Sequence, residues 1–376
     1  MDGTSERRIL IVAGEASGDR HAARLVTELR RLGPCRIRGV AGPALRAAGV
    51  EGVADVEDLA VIGFSGVVAR LPRIGSIYRR LLEVTRGFSP HAAVLVDSPG
   101  FNFRLGPALH RLGVPVFYYI APQVWAWHPE RAAQMARWVS RLAVIFPFEE
   151  ALFREAGVDA RFFGHPLVEG LAPEVDEAAF RREVGAGPDA RILGLLPGSR
   201  PGEMRSHGAL MLETARRLRS TRPDLAVALA LAPGLEAPPG AGAGAGVTAL
   251  SGRTHAVQAF STCCAVASGT ATLETALFAT PEVIVYRTGW INYQIAKRVV
   301  RLPRIGLPNI VAQREVAPEL LQGGLTADRL ADTLARWLDD PAERARCRSG
   351  LGVVRERLGG PGASARAAAW LWELAA

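Results

Sequence analysis

The chain has 376 residues, a formal net charge of +8 and a sequence pI of about 10.0. Hydrophobic residues make up 49% and charged residues 22%, which excludes a disordered or fibrous chain and is ample for two soluble domains with a core each. The cysteines (Cys35, Cys263, Cys264, Cys347) show no CxxC spacing, which excludes a zinc ribbon or disulfide framework and fits a reducing cytoplasm.

Met1–Arg8 is polar, and the apolar run Ile9–Ala13 is too short for a signal peptide. No segment has the length expected of a bilayer span. Arg8–Ala13 reads as a buried strand, followed by the tight turn Gly14–Asp19 and a helix over Ala22–Leu32. Strand-length apolar runs recur at Arg36–Val40, Ala92–Val96, Val116–Ile120 and Leu142–Phe146. Helical patterns separate them at Leu71–Thr85, Phe103–Leu112, Pro129–Trp138 and Phe148–Ala156. Gly164-His165-Pro166-Leu167 closes this half.

The polar stretch Glu169–Arg191, with a short helix, leads into a second alternation. Strands are expected at Ile192–Leu196, Ala226–Leu231, Cys264–Ala267 and Val283–Tyr286, with helices at Glu203–Ser220, Ala271–Ala279 and Trp290–Val299. Gly234–Gly246 is low-complexity and reads as a mobile loop. Beyond Leu320 the pattern is helical, and a last helix, Gly362–Leu374, carries Trp370 and Trp372 on its apolar side. Strands alternating with helices predict α/β architecture: two Rossmann-like domains, 1–166 and 167–344, each built on a parallel sheet. The tail from about 345 to 376 is expected to pack back on the first domain.

Chemistry concentrates where strands end. Val266–Glu274 (VASGTATLE) runs from a strand through a glycine turn into a helix, leaving backbone N–H groups free to seat a diphosphate. Ser268, Gly269 and Thr270 form that turn, Thr270 and Thr272 can cap it or bind phosphate, and Glu274 is spaced to accept vicinal sugar hydroxyls. In Leu195–Arg200 (LLPGSR), Gly198 permits close backbone approach, Ser199 is a further donor-binding position and Arg200 offers a fork of donors, without the GK[ST] of a Walker loop. Each turn alone also reads as an ordinary strand–helix connection.

In the first half, Gly14–Asp19 lacks the GxGxxG fingerprint. Glu15 and Asp97 instead put two carboxylates at the mouth of the expected sheet. Asp97 reads either as a general base of raised pKa or as a cap of the helix Phe103–Leu112. In Pro122–Trp127 (PQVWAW) the tryptophans read as packing and Gln123 as the ligand contact. His21, His128 and His165 lack triad or metal partners and read as structural. No Asp-x-Asp stands at a strand end in the expected cleft, so no metal is expected and a basic side chain and helix dipoles must carry the leaving charge.

Arginine is spread over many helical segments, leaving a nucleic-acid footprint unfocused; an anionic lipid surface or a phosphorylated substrate accounts for the charge equally well. Leu59–Val84 mixes a broad apolar face with Arg70, Arg73, Arg79 and Arg80, and reads equally as a sheet-covering helix or as a patch for lipid and anionic head groups.

Ten stretches in order closely resemble lipid-A-disaccharide synthases, family 19 glycosyltransferases of GT-B type. They are AGEASGD (Ala13–Asp19), DSPGFN (Asp97–Asn102), PQVWAW, FPFE (Phe146–Glu149), FGHPL (Phe163–Leu167), LLPGSR, SGTATLE, VYR (Val285–Arg287), GLPNI (Gly306–Ile310) and PELLQ (Pro318–Gln322). The resemblance implies two domains with a cleft between them and an inverting, metal-independent transfer with no cofactor. UDP-2,3-diacylglucosamine is then the donor, 2,3-diacylglucosamine 1-phosphate the acceptor, and lipid A disaccharide 1-phosphate and UDP the products. It also implies a cytoplasmic enzyme, peripheral on the inner face of the inner membrane. Carried over, Asp97 would be the base, and Arg200 with the Ser268–Thr270 backbone would hold the diphosphate. Glu274 would hold the ribose. Asn309 and Arg314 would be donor-side contacts, while Glu15, Ser17 and Gln123 would line the acceptor side. Arg20, Ala22, Ala121 and Glu282 depart from the family pattern without removing a functional group. A UDP-sugar epimerase on the same scaffold and a non-catalytic nucleotide-sugar or membrane binder are the competing readings.

Overall fold

The computed structural model describes residues 6–59, 64–242, 246–289 and 304–376; the side chains of 64–71 and of Trp127 fall outside the description. Its chain divides into two compact units, one running to Glu169 and including Gly359–Ala376, the other Gly170–Leu358.

The first unit is built on seven strands: β1 (Arg7–Ala13), β2 (Cys35–Val40), β3 (Glu51–Ala54), β4 (Ala92–Val96), β5 (Val116–Tyr119), β6 (Arg141–Val144) and β7 (Ala160–Phe162). They pair in the order β3-β2-β1-β4-β5-β6-β7, each pair parallel. Central strands such as AAVLV of β4 are apolar throughout because helices cover both faces of a parallel sheet. Alternate residues enter opposite layers. Leu10, Val12, Ala93 and Leu95 pack with Ile77, Leu81, Leu105 and Leu109, whereas Ile9, Ile11, Val94 and Val96 pack with Leu25, Val26 and Leu29 of the helix Ala16–Leu32.

The helix Ala363–Leu374 lies in that second layer, burying Ala367, Ala368, Trp370 and Leu371. The Arg7 guanidinium stacks 3.8 Å from the Trp372 ring. The return to this unit begins at Gly359 rather than near residue 345. Helix Pro341–Leu358 stays with the second unit, burying Leu351, Val354 and Leu358 and sending Arg355 and Arg357 to the carbonyls of Leu277 and Val311. Gly359 turns the chain at φ 78°, and a Cβ there would stand 3.3 Å from Gly164 Cα.

The second unit carries β8 (Ile192–Leu196), β9 (Ala226–Leu231), β10 (Val247–Ser251), β11 (Cys263–Ala267), β12 (Glu282–Tyr286) and β13 (Glu319–Leu321). Their order is β10-β9-β8-β11-β12-β13, again parallel. Both sheets reverse winding beside their first strand, at β1/β4 and β8/β11, and in open α/β sheets ligands bind at the carboxyl ends there.

Four strands lie outside the sequence expectation: β3, β7, β10 and β13, the two edges of each sheet. The expected helix Leu71–Thr85 falls within Phe64–Phe88. Its described side chains Ile77 and Leu81 are core, while Arg73, Arg79 and Arg80 are exposed and Arg73 pairs with Asp58 at 2.6 Å. Residues 60–63, the side chains of 64–71 including Arg70, the expected helix Trp290–Val299 and residues 243–245 of the low-complexity loop lie outside the described residues. Among those described, no helix is long and apolar enough to cross a membrane.

Candidate active site

In the first unit, β1 and β4 pair as far as Ala13 and Val96, so the turns Gly14-Glu15 and Asp97-Ser98 emerge side by side. A Cβ on Gly14 would stand 2.2 Å from Ser98 Oγ; only glycine lets these turns meet. Asp97 and Ser98 both adopt φ 45°, a left-handed conformation costing about 1–3 kcal/mol each for non-glycine residues. The strain is held by the Asp97 carbonyl, which accepts from Asn102 Nδ2 at 2.7 Å and the Tyr118 hydroxyl at 2.5 Å, and by its N–H, which donates to the Tyr119 carbonyl at 3.2 Å.

This turn leaves the Asp97 carboxyl half-buried beside Glu15. Burial first, and then the negative charge of Glu15, push its pKa up to about 6 against the Ser98 N–H hydrogen bond. A carboxyl there is ionised near neutrality and still basic enough to take a proton. The helix-cap reading does not hold, because Ser98 occupies the N-cap of Pro99–Arg111 and no side chain caps it. Glu15 is exposed at the N-cap of Ala16–Leu32, Ser17 is half-buried in its first turn, and Gln123 is exposed ahead of the turn Val124–Trp127. Asp19 serves the fold instead. Its carboxylate accepts from Gly42, Ala44 and Leu45 N–H groups at 2.7, 2.8 and 3.3 Å, tying the GEASGD turn to the helix Pro43–Ala47.

Glu149 is a group the sequence placed only within a motif. It is fully buried, accepting from Trp125 Nε1 at 2.9 Å and from the Ile145 and Phe146 N–H groups at 3.1 and 3.0 Å. Burial raises its pKa to about 7 against those three donors, and the charge of Asp97 adds to the rise. At the start of Pro147–Glu155 Glu149 reaches back to the Phe146 N–H, but the N-cap phenylalanine has no side-chain acceptor to return the bond, so no Ser/Thr-x-x-Glu signature marked it in the sequence. His165 is buried and held neutral, its pKa lowered to about 3 by burial and by His21; Nδ1 accepts from Leu167 N–H at 3.1 Å. His128 is exposed, 2.8 Å from Glu130.

In the second unit, β8 and β11 pair directly, so LPGSR and SGT also emerge as neighbours. Gly198 takes φ 122°, and a Cβ there would strike Glu203 Oε2 at 2.4 Å. Glu203 accepts from the N–H groups of Ser199 at 2.9 Å and Arg200 at 3.2 Å, and from Arg200 Nη1 at 3.1 Å. Those backbone donors are engaged, so Ser199, expected as a donor-binding position, has no free backbone N–H to offer, whereas the Arg200 side chain is exposed. His207, not marked by sequence reasoning, is buried and braces this end of the sheet. Its ring bonds Pro197 O at 2.8 Å and accepts from Arg287 N–H at 3.0 Å, joining the turns after β8 and β12.

After β11, Gly269 begins the helix Thr270–Leu277 with no side-chain cap, and its Cα faces open space. Gly269 and Thr270 are exposed, and Ser268 is half-buried. Thr272 turns inward instead, its hydroxyl donating to Gly269 O at 2.8 Å. Glu274 lies one turn along, 3.3 Å from Gln258 Nε2 and 3.8 Å from His255 Nε2.

Asn309 corrects its expected role. Its Nδ2 donates to Ala317 O at 2.7 Å and Glu319 Oε1 at 2.8 Å, and its Oδ1 accepts from Val316 and Ala317 N–H groups at 2.7 and 3.0 Å. Fully buried and saturated, the amide has nothing left for a donor sugar. Arg314 is exposed just beyond the helix Leu307–Ala312. Among the described residues, no three His, Cys, Asp or Glu side chains group as metal ligands.

Comparison with known proteins gives the family of the chain. The lipid-A-disaccharide synthetase family model matches residues 9–350. The lipid-A-disaccharide synthase of Geobacter sulfurreducens is 41% identical, covering 100% of this chain and 99% of that protein; that of Myxococcus xanthus is 43% identical, covering 99% and 98%. Among solved structures, the calicheamicin glycosyltransferase CalG4 matches with a TM-score of 0.62 at 19% identity, covering 98% of both chains. The UDP-GlcNAc 2-epimerase of Neisseria meningitidis matches at 0.65 with 11% identity, covering 97% of this chain and 100% of that one. Those two likenesses establish the shared glycosyltransferase GT-B fold alone, and the epimerase reading gains nothing from them. With matches of this identity over its full length, the chain belongs to the lipid-A-disaccharide synthase family of UDP-sugar-dependent glycosyltransferases.

Proposed function

We propose that the chain joins UDP-2,3-diacylglucosamine to 2,3-diacylglucosamine 1-phosphate, with Asp97 as the base. Its carboxylate takes the proton of the acceptor's 6-hydroxyl as that oxygen attacks the anomeric carbon, and the bond to UDP breaks with inversion. Negative charge grows on the leaving diphosphate, and the uncapped N-terminus of Thr270–Leu277 with the Arg200 side chain suits it. Glu274 is assigned to the ribose hydroxyls, Arg314 to the donor side, and Glu15, Ser17 and Gln123 to the acceptor side. The strained Asp97 turn carries this reading, because it holds a carboxyl of pKa about 6 at a switch point.

The exposed arginines of Phe64–Phe88 and the net charge of +8 support a seat on an anionic membrane surface, the cytoplasmic face of the inner membrane. UDP release measured with each lipid alone and with both tests the reaction. Release only when both are present is expected; release or isomerisation of the donor without acceptor contradicts it. Co-sedimentation with phosphatidylglycerol vesicles, lost on adding salt, tests the seat.

A further inference from the structure

Glu274 is held from behind by the helix Thr254–Phe260. Fully buried Gln258 sends Nε2 to Glu274 Oε2 at 3.3 Å and to the Ala271 carbonyl at 2.9 Å, which fixes the amide's orientation. His255 stands beside it. Its Nδ1 meets the Ala172 carbonyl at 3.0 Å and Glu174 Oε1 at 3.7 Å, while Nε2 faces Glu274 Oε1 at 3.8 Å. Both ring nitrogens therefore face acceptors, an environment that suits the imidazolium.

The neighbours agree on sign. Glu174 is itself pinned, accepting from the His255 and Ala256 N–H groups at 3.0 and 2.8 Å. The Phe278 ring lies 6.1 Å away and carries no charge. Arg253, the nearby cation on the same element, is paired with Glu183 at 3.0 Å. The Glu274 carboxylate raises the His255 pKa above its usual 6.5, burial opposes, and Glu174 and the Ala172 carbonyl add to the rise.

We propose that His255, as imidazolium, and Gln258 are positioning residues that aim the Glu274 carboxylate at a vicinal ribose diol, making recognition of the nucleotide's 2′-hydroxyl pH-dependent. The proposal rests on the assignment of Glu274 to the ribose. When His255 loses its proton, Glu274 loses one of its two side-chain anchors and the preference for ribose over deoxyribose falls. A cation acting only through space would weaken UDP and 2′-deoxy-UDP alike.

Titration calorimetry of the full chain with UDP and with 2′-deoxy-UDP, from pH 5.5 to 9, separates these cases. Wild type is expected to prefer UDP by about tenfold at the acid end, shrinking to about twofold at the alkaline end. His255→Gln gives the small preference at every pH. Gln258→Leu lowers the preference at acid pH and keeps the trend. Glu274→Gln removes the preference throughout; if it does not, the ribose assignment itself fails. If Glu274→Gln removes it while His255→Gln and Gln258→Leu both match wild type, the assignment stands and the positioning proposal is overturned.

Discussion

Trp125 donates its indole N–H to Glu149 at 2.9 Å, and that contact joins the PQVWAW turn to the strand end that carries FPFE. The Trp125 ring stacks edge-on against Phe148, with centroids 5.0 Å apart, so the bond works within a packed aromatic cluster. A buried carboxyl of pKa about 7 is thus a structural clasp whose own protonation feels the charge of Asp97.

Glu149→Gln keeps the shape but turns an amide N–H towards donors. A loss of about 1–3 kcal/mol in stability and a clear fall in kcat are expected. Because the folded-state pKa of Glu149 is raised above 4.5, its contribution is full below about pH 4.5 and is lost as pH rises through about 7. Melting curves of wild type and variant should therefore differ most at acid pH. Trp125→Phe, which removes one donor and keeps the ring, should fall between the two.

Glu282 is fully buried, and among the described residues neither carboxyl oxygen has a hydrogen-bond partner; burial raises its pKa well above 4.5. Glu282→Met should stabilise the fold by about 1–3 kcal/mol at pH 8. Raised in the folded state, this carboxyl weakens the fold as pH climbs above about 4.5, so the gain should shrink towards pH 5. Denaturant unfolding at both pH values checks this; a loss of stability at pH 8 would show that the carboxyl has a partner.

Asn309→Ala leaves two buried N–H groups, one carbonyl and Glu319 short of a partner. A stability loss of about 2–4 kcal/mol is expected, with UDP affinity nearly unchanged where the variant remains folded. Calorimetry below the melting point distinguishes this from a ligand contact, which would lose affinity first.

Gly14→Ala forces a Cβ onto Ser98 and should lower kcat by disturbing the Asp97 turn. Adding Ser98→Gly to the same chain should restore part of the rate. No recovery would mean that Gly14 matters for another reason.

The interior strands could be read from the sequence because burial on both faces makes them apolar without interruption, as in β4 and β11. The four edge strands could not, because an edge strand such as EGVA of β3 is short and only partly covered. At the site, Asp97 and Glu274 stood out because strand-to-helix turns have a local signature. His207 and Glu149 did not, because their partners Arg287 and Trp125 are 80 and 24 residues away. Asn309 misled for a related reason: a saturated buried amide and a free one look identical in a motif.

The central claim is that Asp97 is the base. The most direct measurement is kcat against pH for wild type and Asp97→Asn, under saturating donor and acceptor. Wild-type turnover should fall as pH drops through about 6, where the carboxylate protonates, and Asp97→Asn should lose about a hundredfold or more together with that pH step. An Asp97→Asn variant that turns over within a few-fold of wild type, with the step intact, would contradict the account.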